Sequence, residues 1–146
     1  MRIVTDLEHV GRRLPEGWKY ILPAEAQWEY ACRAGTQSRF SFGNDRSLLK
    51  EYGWFRGNTG FDKMHPHSVG QRKPNPWGFY DMHGNVEEWC QDFYVRPNDG
   101  GEKHYRIFRG GDFTLSDVHC RSAARFYDKP EYGYWYLGFR VAAVPK

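Results

Sequence analysis

Beyond Phe40 the chain is divided into short segments by turn-forming residues. The whole sequence contains 16 Gly and 8 Pro. Short apolar runs alternate with Gly, Pro and Asn, and no sustained helical period appears. Such punctuation is typical of short strands and irregular loops, and it argues against a helical bundle. Four segments are predicted to be strands: 79–82, 87–93, 104–109 and 137–144.

The clearest helix is predicted at residues 23–35. Pro23 suits the first turn of a helix, where its missing N–H costs little, and Gly35 suits the position just after the last turn. The face predicted to be buried carries Ala24, Trp28, Ala31 and Cys32. A shorter helix is predicted at 6–13. Helices followed by short strands indicate a single α+β domain over residues 1–146, with a mostly antiparallel sheet.

Charge and hydropathy exclude several classes of partner. Lys and Arg number 21 against 18 Asp and Glu, and no basic run reaches five residues, so nucleic-acid binding is not indicated. No apolar run approaches the ~20 residues of a membrane span. Asp6 and Glu8 interrupt any signal-peptide core, and a cytoplasmic location is the default expectation. The three widely spaced cysteines are predicted to be reduced, packed thiols.

The segment 113–136 is unusually rich in rings and has no regular apolar period. Tyr134, Trp135 and Tyr136 are consecutive, so in a strand they would project to both faces, and Asp128 and Glu131 interrupt the segment. Tyr and Trp offer large, rigid contact areas with polar tips, as binding surfaces require. The alternative, that many of these rings fill a core, stays open. The residues predicted to contact a protein or other macromolecular ligand are Phe113, Leu115, Asp117, His119, Phe126, Tyr127, Asp128, Tyr132, Tyr134, Trp135 and Tyr136.

Four motifs resemble, in order and spacing, the formylglycine-generating enzyme or sulfatase-modifying factor domain family. They are LPAEAQWEYA at 22–31, PWGFYDMHGNVEEW at 76–89, FRGGDF at 108–113 and GFRV at 138–141. The resemblance implies a C-type lectin-like fold with two helices, a twisted antiparallel sheet and long irregular loops. The chain departs from the family pattern in its short N-terminal half. It also departs at Glu87, where the family usually has Trp, and at 112–113, where Asp-Phe replaces Ser-Trp.

The family's oxidase uses two cysteines to bind copper(I), and only one of them is retained. Cys120 matches the second cysteine, whereas the first falls at Leu115, which cannot ligate a metal. The chain is therefore predicted not to be an enzyme and not to bind copper. The alternatives are a sulfatase-maturation-like oxidase or an accessory sensor module of a larger bacterial protein.

The resemblance also implies a structural calcium ion. Its ligands would be the side chains of Asp81 and Glu88 and the backbone carbonyls of Gly84 and Val86. Carboxylate and carbonyl oxygens from a tight turn suit this hard cation. The alternative is that both carboxylates cap backbone N–H groups without a metal.

The same fold serves as the variable protein of diversity-generating retroelements. Such proteins present mutable residues between scaffold blocks, and this chain has comparable blocks at 109–111, 120–123 and 138–140. Adenine-directed mutation of Asn codons yields Tyr, Asp, Phe, Ser and His but not Trp, so Trp135 needs another origin. We therefore expect a non-enzymatic ligand-binding domain, of which a retroelement variable protein is the specific version.

Overall fold

The computed structural model describes residues 2–4, 14–60, 64–97, 100 and 104–146. The strands are β1 (Arg2–Val4), β2 (Trp18–Ile21), β3 (Glu87–Tyr94), β4 (Tyr105–Arg109), β5 (Arg125–Asp128), β6 (Leu137–Phe139) and β7 (Val141–Pro145). The helices are α1 (Glu25–Arg33), α2 (Leu49–Tyr52) and α3 (Arg56–Thr59). The predicted helix at 6–13 lies outside the described residues.

Two sheets organise the molecule. The first has three strands in the order β1-β7-β2, all antiparallel, and it brings the first and last strands of the chain together. The second has four strands in the order β5-β4-β3-β6. In it only β6 runs parallel to its neighbour, with Glu87 opposite Leu137 and Trp89 opposite Phe139. The prediction of an α+β fold with a mostly antiparallel sheet is thus confirmed.

Helix α1 begins and ends as its sequence predicts, within two residues. The Gln27 side chain accepts a hydrogen bond from the Ala24 N–H (2.9 Å), which satisfies a free donor at the start of the helix. Ala34 ends the helix in the left-handed region, at φ 48°. Trp28 and Cys32 are fully buried on the predicted apolar face.

The core lies between α1 and the second sheet, with a smaller cluster beside it. The three cysteines are free and buried, which confirms the prediction of packed thiols. No helix in the described part of the chain combines the length and apolar character that crossing a membrane requires. The main cluster contains Trp28, Ala31, Cys32, Met82, Cys90, Ile107 and Ala142, and the smaller one contains Phe40, Leu49 and Cys120.

The predicted strand at 79–82 is wrong. Asp81 takes a left-handed φ of 56°, and the residues around it form bends. A residue in that conformation interrupts the extended backbone that a strand requires. The predicted strand at 137–144 is in fact two strands in different sheets, β6 and β7, separated at Arg140.

Three described strands and two single-turn helices were not predicted. Strands β1, β2 and β5 lie at the edges of their sheets, where one side of the backbone has no pairing strand among the described residues. Strand β5 shows alternating exposure, yet its charged ends, Arg125 and Asp128, resemble loop residues in sequence. Helices α2 and α3 have four residues each, too few for a periodic signal.

Candidate ligand-binding surface

A buried arginine fixes the scaffold beneath the ring-rich segment. Arg109, at the end of β4, is 1% exposed and forms ion pairs with Glu25 and Glu29 of α1. It also donates a hydrogen bond to the carbonyl of Ser122 (2.8 Å). Because one guanidinium joins β4, α1 and the segment after Cys120, these parts are held in one arrangement.

Glycine at position 111 allows the scaffold to approach Cys120 closely. Gly111 has a φ of 70°, and a side chain there would lie 2.9 Å from Cys120 Sγ and 2.8 Å from the His119 carbonyl oxygen. Both the conformation and the space therefore require glycine. The segment 111–120 consequently turns back on itself and returns the chain toward β5.

Cys120 is a buried thiol whose surroundings disfavour its ionised form. Its side chain is fully buried, with Sγ 3.8 Å from the Ser116 carbonyl oxygen. Burial, and then the negative charge of Asp112, raise the pKa of this thiol well above its usual value. The thiolate, which is the form that binds copper(I), is therefore disfavoured. Leu115, which the resemblance predicts to stand at the position of the family's other cysteine, is half-buried and has no group that could bind a metal.

Four rings after β5 form a continuous aromatic patch, which we call the ring surface: Tyr132, Tyr134, Trp135 and Tyr136. Tyr134 stacks on Tyr136 with 5.1 Å between ring centroids, and it lies 6.1 Å from Tyr132. Trp135 meets Tyr136 edge to face at 6.2 Å and is 58% exposed. The Tyr134 hydroxyl donates a hydrogen bond to Asp128 Oδ2 (3.1 Å), which ties the patch to the end of β5.

Phe113 was predicted to contact ligand, and that prediction is wrong because the side chain has no exposed area. Its ring lies 4.9 Å from that of Trp135, so it supports the ring surface from beneath. The alternative of core burial, which the sequence left open, therefore holds for Phe113 and not for Trp135. Phe113 and Trp135, 22 positions apart in sequence, are thus packed against each other, with Phe113 buried and Trp135 exposed.

Strand β5 separates two residues predicted to act together. Because side chains alternate along a strand, Phe126 and Tyr127 project from opposite faces of the sheet. Phe126 lies 5.8 Å from the ring of His119. Tyr127 stacks on Tyr94 at 4.0 Å and is 39% exposed, so its contact with a ligand stays a prediction.

Two further predicted ligand contacts, Asp117 and His119, lie in a short 3₁₀ turn that directly precedes Cys120. Asp117 is 3.7 Å from a guanidinium nitrogen of Arg46, an exposed cation. His119 Nδ1 is 2.9 Å from the Ser116 hydroxyl oxygen, and the turn is thereby braced against its own start. Both residues are half-buried and so stay candidates for the margin of a binding surface.

At the predicted calcium site, Glu88 already has partners. Both of its carboxylate oxygens accept hydrogen bonds from Arg140, and Oε2 also accepts one from Trp28 Nε1 (2.6 Å). Glu88 and Arg140 are both buried, so this carboxylate is neutralised by a fixed guanidinium. As arranged, Glu88 does not fit the role of a calcium ligand.

The other predicted calcium ligands form a tight turn. Asp81 Oδ2 accepts a hydrogen bond from the Gly70 N–H (2.8 Å), whereas Oδ1 is buried without a hydrogen-bond partner in the described structure. At Gly84, φ is 124° and a side chain would lie 2.2 Å from the Trp54 carbonyl oxygen. Val86 is half-buried and directly precedes β3. Calcium binding stays a prediction. Because Glu88 is paired with Arg140, the four predicted ligands do not together form a calcium site in this arrangement.

Two buried acids near the ring surface were not predicted as site residues. Glu87 is 3% exposed and Asp112 is 1% exposed, and the charge of each acts on Tyr136. Burial, and then the charge of Asp112, raise the pKa of Glu87 to about 8. The sequence offered a signal for both acids. Glu87 stands where the family motif usually has Trp, and Asp112 stands where it usually has Ser.

Comparison with known proteins places this geometry in a family. The family described as "Sulfatase-modifying factor enzyme 1-like domain" matches residues 7–144. The formylglycine-generating enzyme of Streptomyces coelicolor is 33% identical over 83% of this chain and 46% of that enzyme. The serine/threonine-protein kinase pkn1 of Chlamydia pneumoniae is 31% identical over 92% of this chain and 21% of the kinase.

A solved structure gives the corresponding likeness in three dimensions. Treponema denticola variable protein 1 superposes with a TM-score of 0.76 and 34% identity, over 87% of this chain and 48% of that one. The chain therefore spans less than half the length of each of these three relatives. Since the family match extends over nearly the whole sequence, the chain belongs to the sulfatase-modifying factor enzyme 1-like domain family.

Proposed function

We propose that this chain is a ligand-binding domain that contacts a protein or other macromolecule through the ring surface. The aromatic patch after β5, in which Tyr132 and Trp135 are exposed and Phe113 packs beneath Trp135, carries this proposal. Rings held by a rigid scaffold lose little conformational entropy on binding, and they bury a large area for each contact. The hydrogen bond from Tyr134 to Asp128 adds to that rigidity.

The proposal sets aside the family's oxidase chemistry for this chain. Copper(I) needs two soft thiolates here, and the chain offers Leu115 and a fully buried Cys120. Placing copper at Cys120 would require deprotonating a thiol whose pKa burial already raises. The likeness to part of a kinase supports a further possibility, that this binding domain belongs to a larger protein.

The specific version of the proposal is a variable protein of a diversity-generating retroelement. The likeness to Treponema denticola variable protein 1 supports it, together with the location of the ring surface between the scaffold blocks at 120–123 and 138–140. We expect sequencing of the locus in related isolates to show a nearby reverse transcriptase and an imperfect repeat covering codons 112–140. A locus with neither would contradict this version and leave the binding proposal standing.

Binding should depend on the ring surface. Peptide-display clones selected on the parent protein are expected to lose most of their binding to the Tyr132→Ala/Trp135→Ala variant, since truncating aromatic anchors typically costs at least ~2 kcal/mol each. The matched control is Tyr20→Ala/Tyr30→Ala, which removes exposed rings elsewhere. Surface truncation of this kind is expected to shift the melting temperature by less than about 4 °C.

Two outcomes would contradict the proposal. One is that selected clones bind the ring-surface variant and the control variant equally well. The other is robust oxygen uptake by the parent protein with copper(I) and a cysteine-containing peptide, because that activity would restore the oxidase alternative.

A further inference from the structure

Tyr127 belongs to a second aromatic cluster, whose members are not those of the ring surface. Its ring stacks on Tyr94 of β3 with 4.0 Å between centroids, and it meets Tyr105 of β4 edge to face at 5.7 Å. We call these three residues the tyrosine cluster. In the described structure none of them has a ring contact with a member of the ring surface, so the two aromatic groups are separate.

The strand register places the tyrosine cluster on one face of the second sheet. Tyr94 is opposite Tyr105, and Tyr127 is opposite Ile107, two residues further along β4. Because side chains alternate along a strand, Tyr105 and Ile107 share a face, and Ile107 belongs to the main core cluster. The tyrosines therefore extend the core face of the sheet to solvent, where Tyr127 is 39% exposed.

One guanidinium lies on this cluster without an anionic partner. The Arg96 guanidinium carbon is 3.9 Å from the centroid of the Tyr105 ring and 5.7 Å from that of Tyr127. Arg96 is exposed, and no carboxylate of the described residues lies within ion-pair distance of it. Arg125, the other arginine near these rings, is paired with Glu25, with 2.6 Å between Nη2 and Oε2. Arg96 therefore gives the cluster a positive charge that no described ion pair neutralises.

Each ring of the cluster already has a stacking partner, so a ligand is expected to meet the polar rims. Tyr94 and Tyr127 stack on each other, and the Arg96 guanidinium lies over Tyr105. Within the described residues no hydrogen bond engages the three phenol oxygens, and none of them is a buried atom without a partner, so they reach solvent. A guanidinium that stacks through its face keeps its in-plane N–H groups free to donate. This arrangement suits an oxygen anion better than an aromatic ligand.

We propose that the tyrosine cluster and Arg96 form a second binding site, which takes the carboxylate of an Asp or Glu side chain of a protein partner. The planar fork of arginine N–H groups matches a carboxylate through two parallel hydrogen bonds, and phenol hydroxyls donate further ones. One unneutralised cation matches the single charge of a carboxylate, whereas a phosphate dianion would be left half compensated. Stacking on Tyr105 orients the guanidinium before binding and so lowers the entropy lost.

The test measures binding of a fluorescently labelled tetraglutamate peptide, with labelled tetraglutamine as the uncharged comparison. Fluorescence anisotropy at about 50 mM salt, where screening is weak, is expected to show the parent protein binding tetraglutamate roughly tenfold more tightly than tetraglutamine. The Arg96→Gln variant is expected to bind the two peptides equally. The Arg96→Lys variant keeps the charge but loses the planar fork, so it is expected to retain at most about a threefold preference.

The matched control is Arg39→Gln, which removes an exposed arginine that lies over no ring in the described structure. It changes the net charge of the protein as Arg96→Gln does, and it is expected to keep the preference for tetraglutamate. Equal affinity of the parent protein for the two peptides, or equal losses in the two Gln variants, would overturn the inference. Loss of tetraglutamate binding in the Tyr132→Ala/Trp135→Ala variant would also overturn it, by locating the acidic ligand on the ring surface, and would leave the proposed function intact.

Discussion

Replacing Arg140 by leucine is expected to lower the free energy of unfolding by about 3–5 kcal/mol, because it leaves Glu88 as a buried, uncompensated charge. Both oxygens of Glu88 accept hydrogen bonds from Arg140, and Trp28 would be the remaining donor. Urea denaturation checks the change directly. For a domain of this size the melting temperature should fall by about 6–20 °C.

Two controls separate a buried charge from the loss of any ion pair. The double variant Glu88→Gln/Arg140→Leu removes the charge as well as its partner and is expected to recover more than half of the lost stability. Lys73→Met breaks the exposed ion pair with Glu51, in which the two atoms lie 2.6 Å apart, and is expected to change little. A single Arg140 variant as stable as the Lys73 variant would contradict the reasoning.

Glu87→Gln is expected to stabilise the protein increasingly as the pH rises from about 4.5 to about 8. The pKa of Glu87 is raised from its ordinary 4.5 to about 8 in the folded protein, first by burial and then by the charge of Asp112. Across that window the unfolded chain ionises this carboxyl while the folded chain holds it protonated. The parent protein therefore loses stability as the pH rises through the window, whereas glutamine does not titrate.

The expected gain of the glutamine variant is about 2–5 kcal/mol above pH 8, and near zero below about pH 4.5, since each tenfold change in ionisation is worth about 1.4 kcal/mol. Other shifted groups, such as the buried His83 with its pKa lowered to about 4 by burial, are present in both proteins and cancel in the difference. Urea denaturation of both proteins at a series of pH values measures it. Glu131→Gln should show a flat difference, and a flat result for Glu87→Gln would refute the prediction.

Much of the fold could be predicted because its signals are local. Helix α1 has a periodic apolar face and recognisable ends, and β3 and β4 are bounded by turn residues. The motifs at 22–31, 76–89, 108–113 and 138–141 indicated the family, and the match over residues 7–144 confirms it. The edge strand β5 was missed because half of its residues face solvent and resemble a loop.

The candidate site was predictable in position but not in detail. The sequence alone determined that rings concentrate at 113–136, and the resemblance to the family predicted that Leu115 stands where a metal-binding cysteine is expected. It did not show that Phe113 lies inside while Trp135 lies outside, since burial depends on which distant segments pack against each ring.

Tertiary structure also decided the roles of the two adjacent acids, Glu87 and Glu88. In sequence they are equivalent carboxylates, and Glu88 alone was predicted to bind a metal. Arg140 is 52 positions away from Glu88 in sequence, yet the fold places its guanidinium against that carboxylate. Alternation along β3 directs Glu87 to the opposite face, where burial and then the charge of Asp112 raise its pKa to about 8. Composition and motifs therefore determined the family and the location of the ring-rich segment, whereas long-range pairing decided which of the two acids is neutralised by a guanidinium.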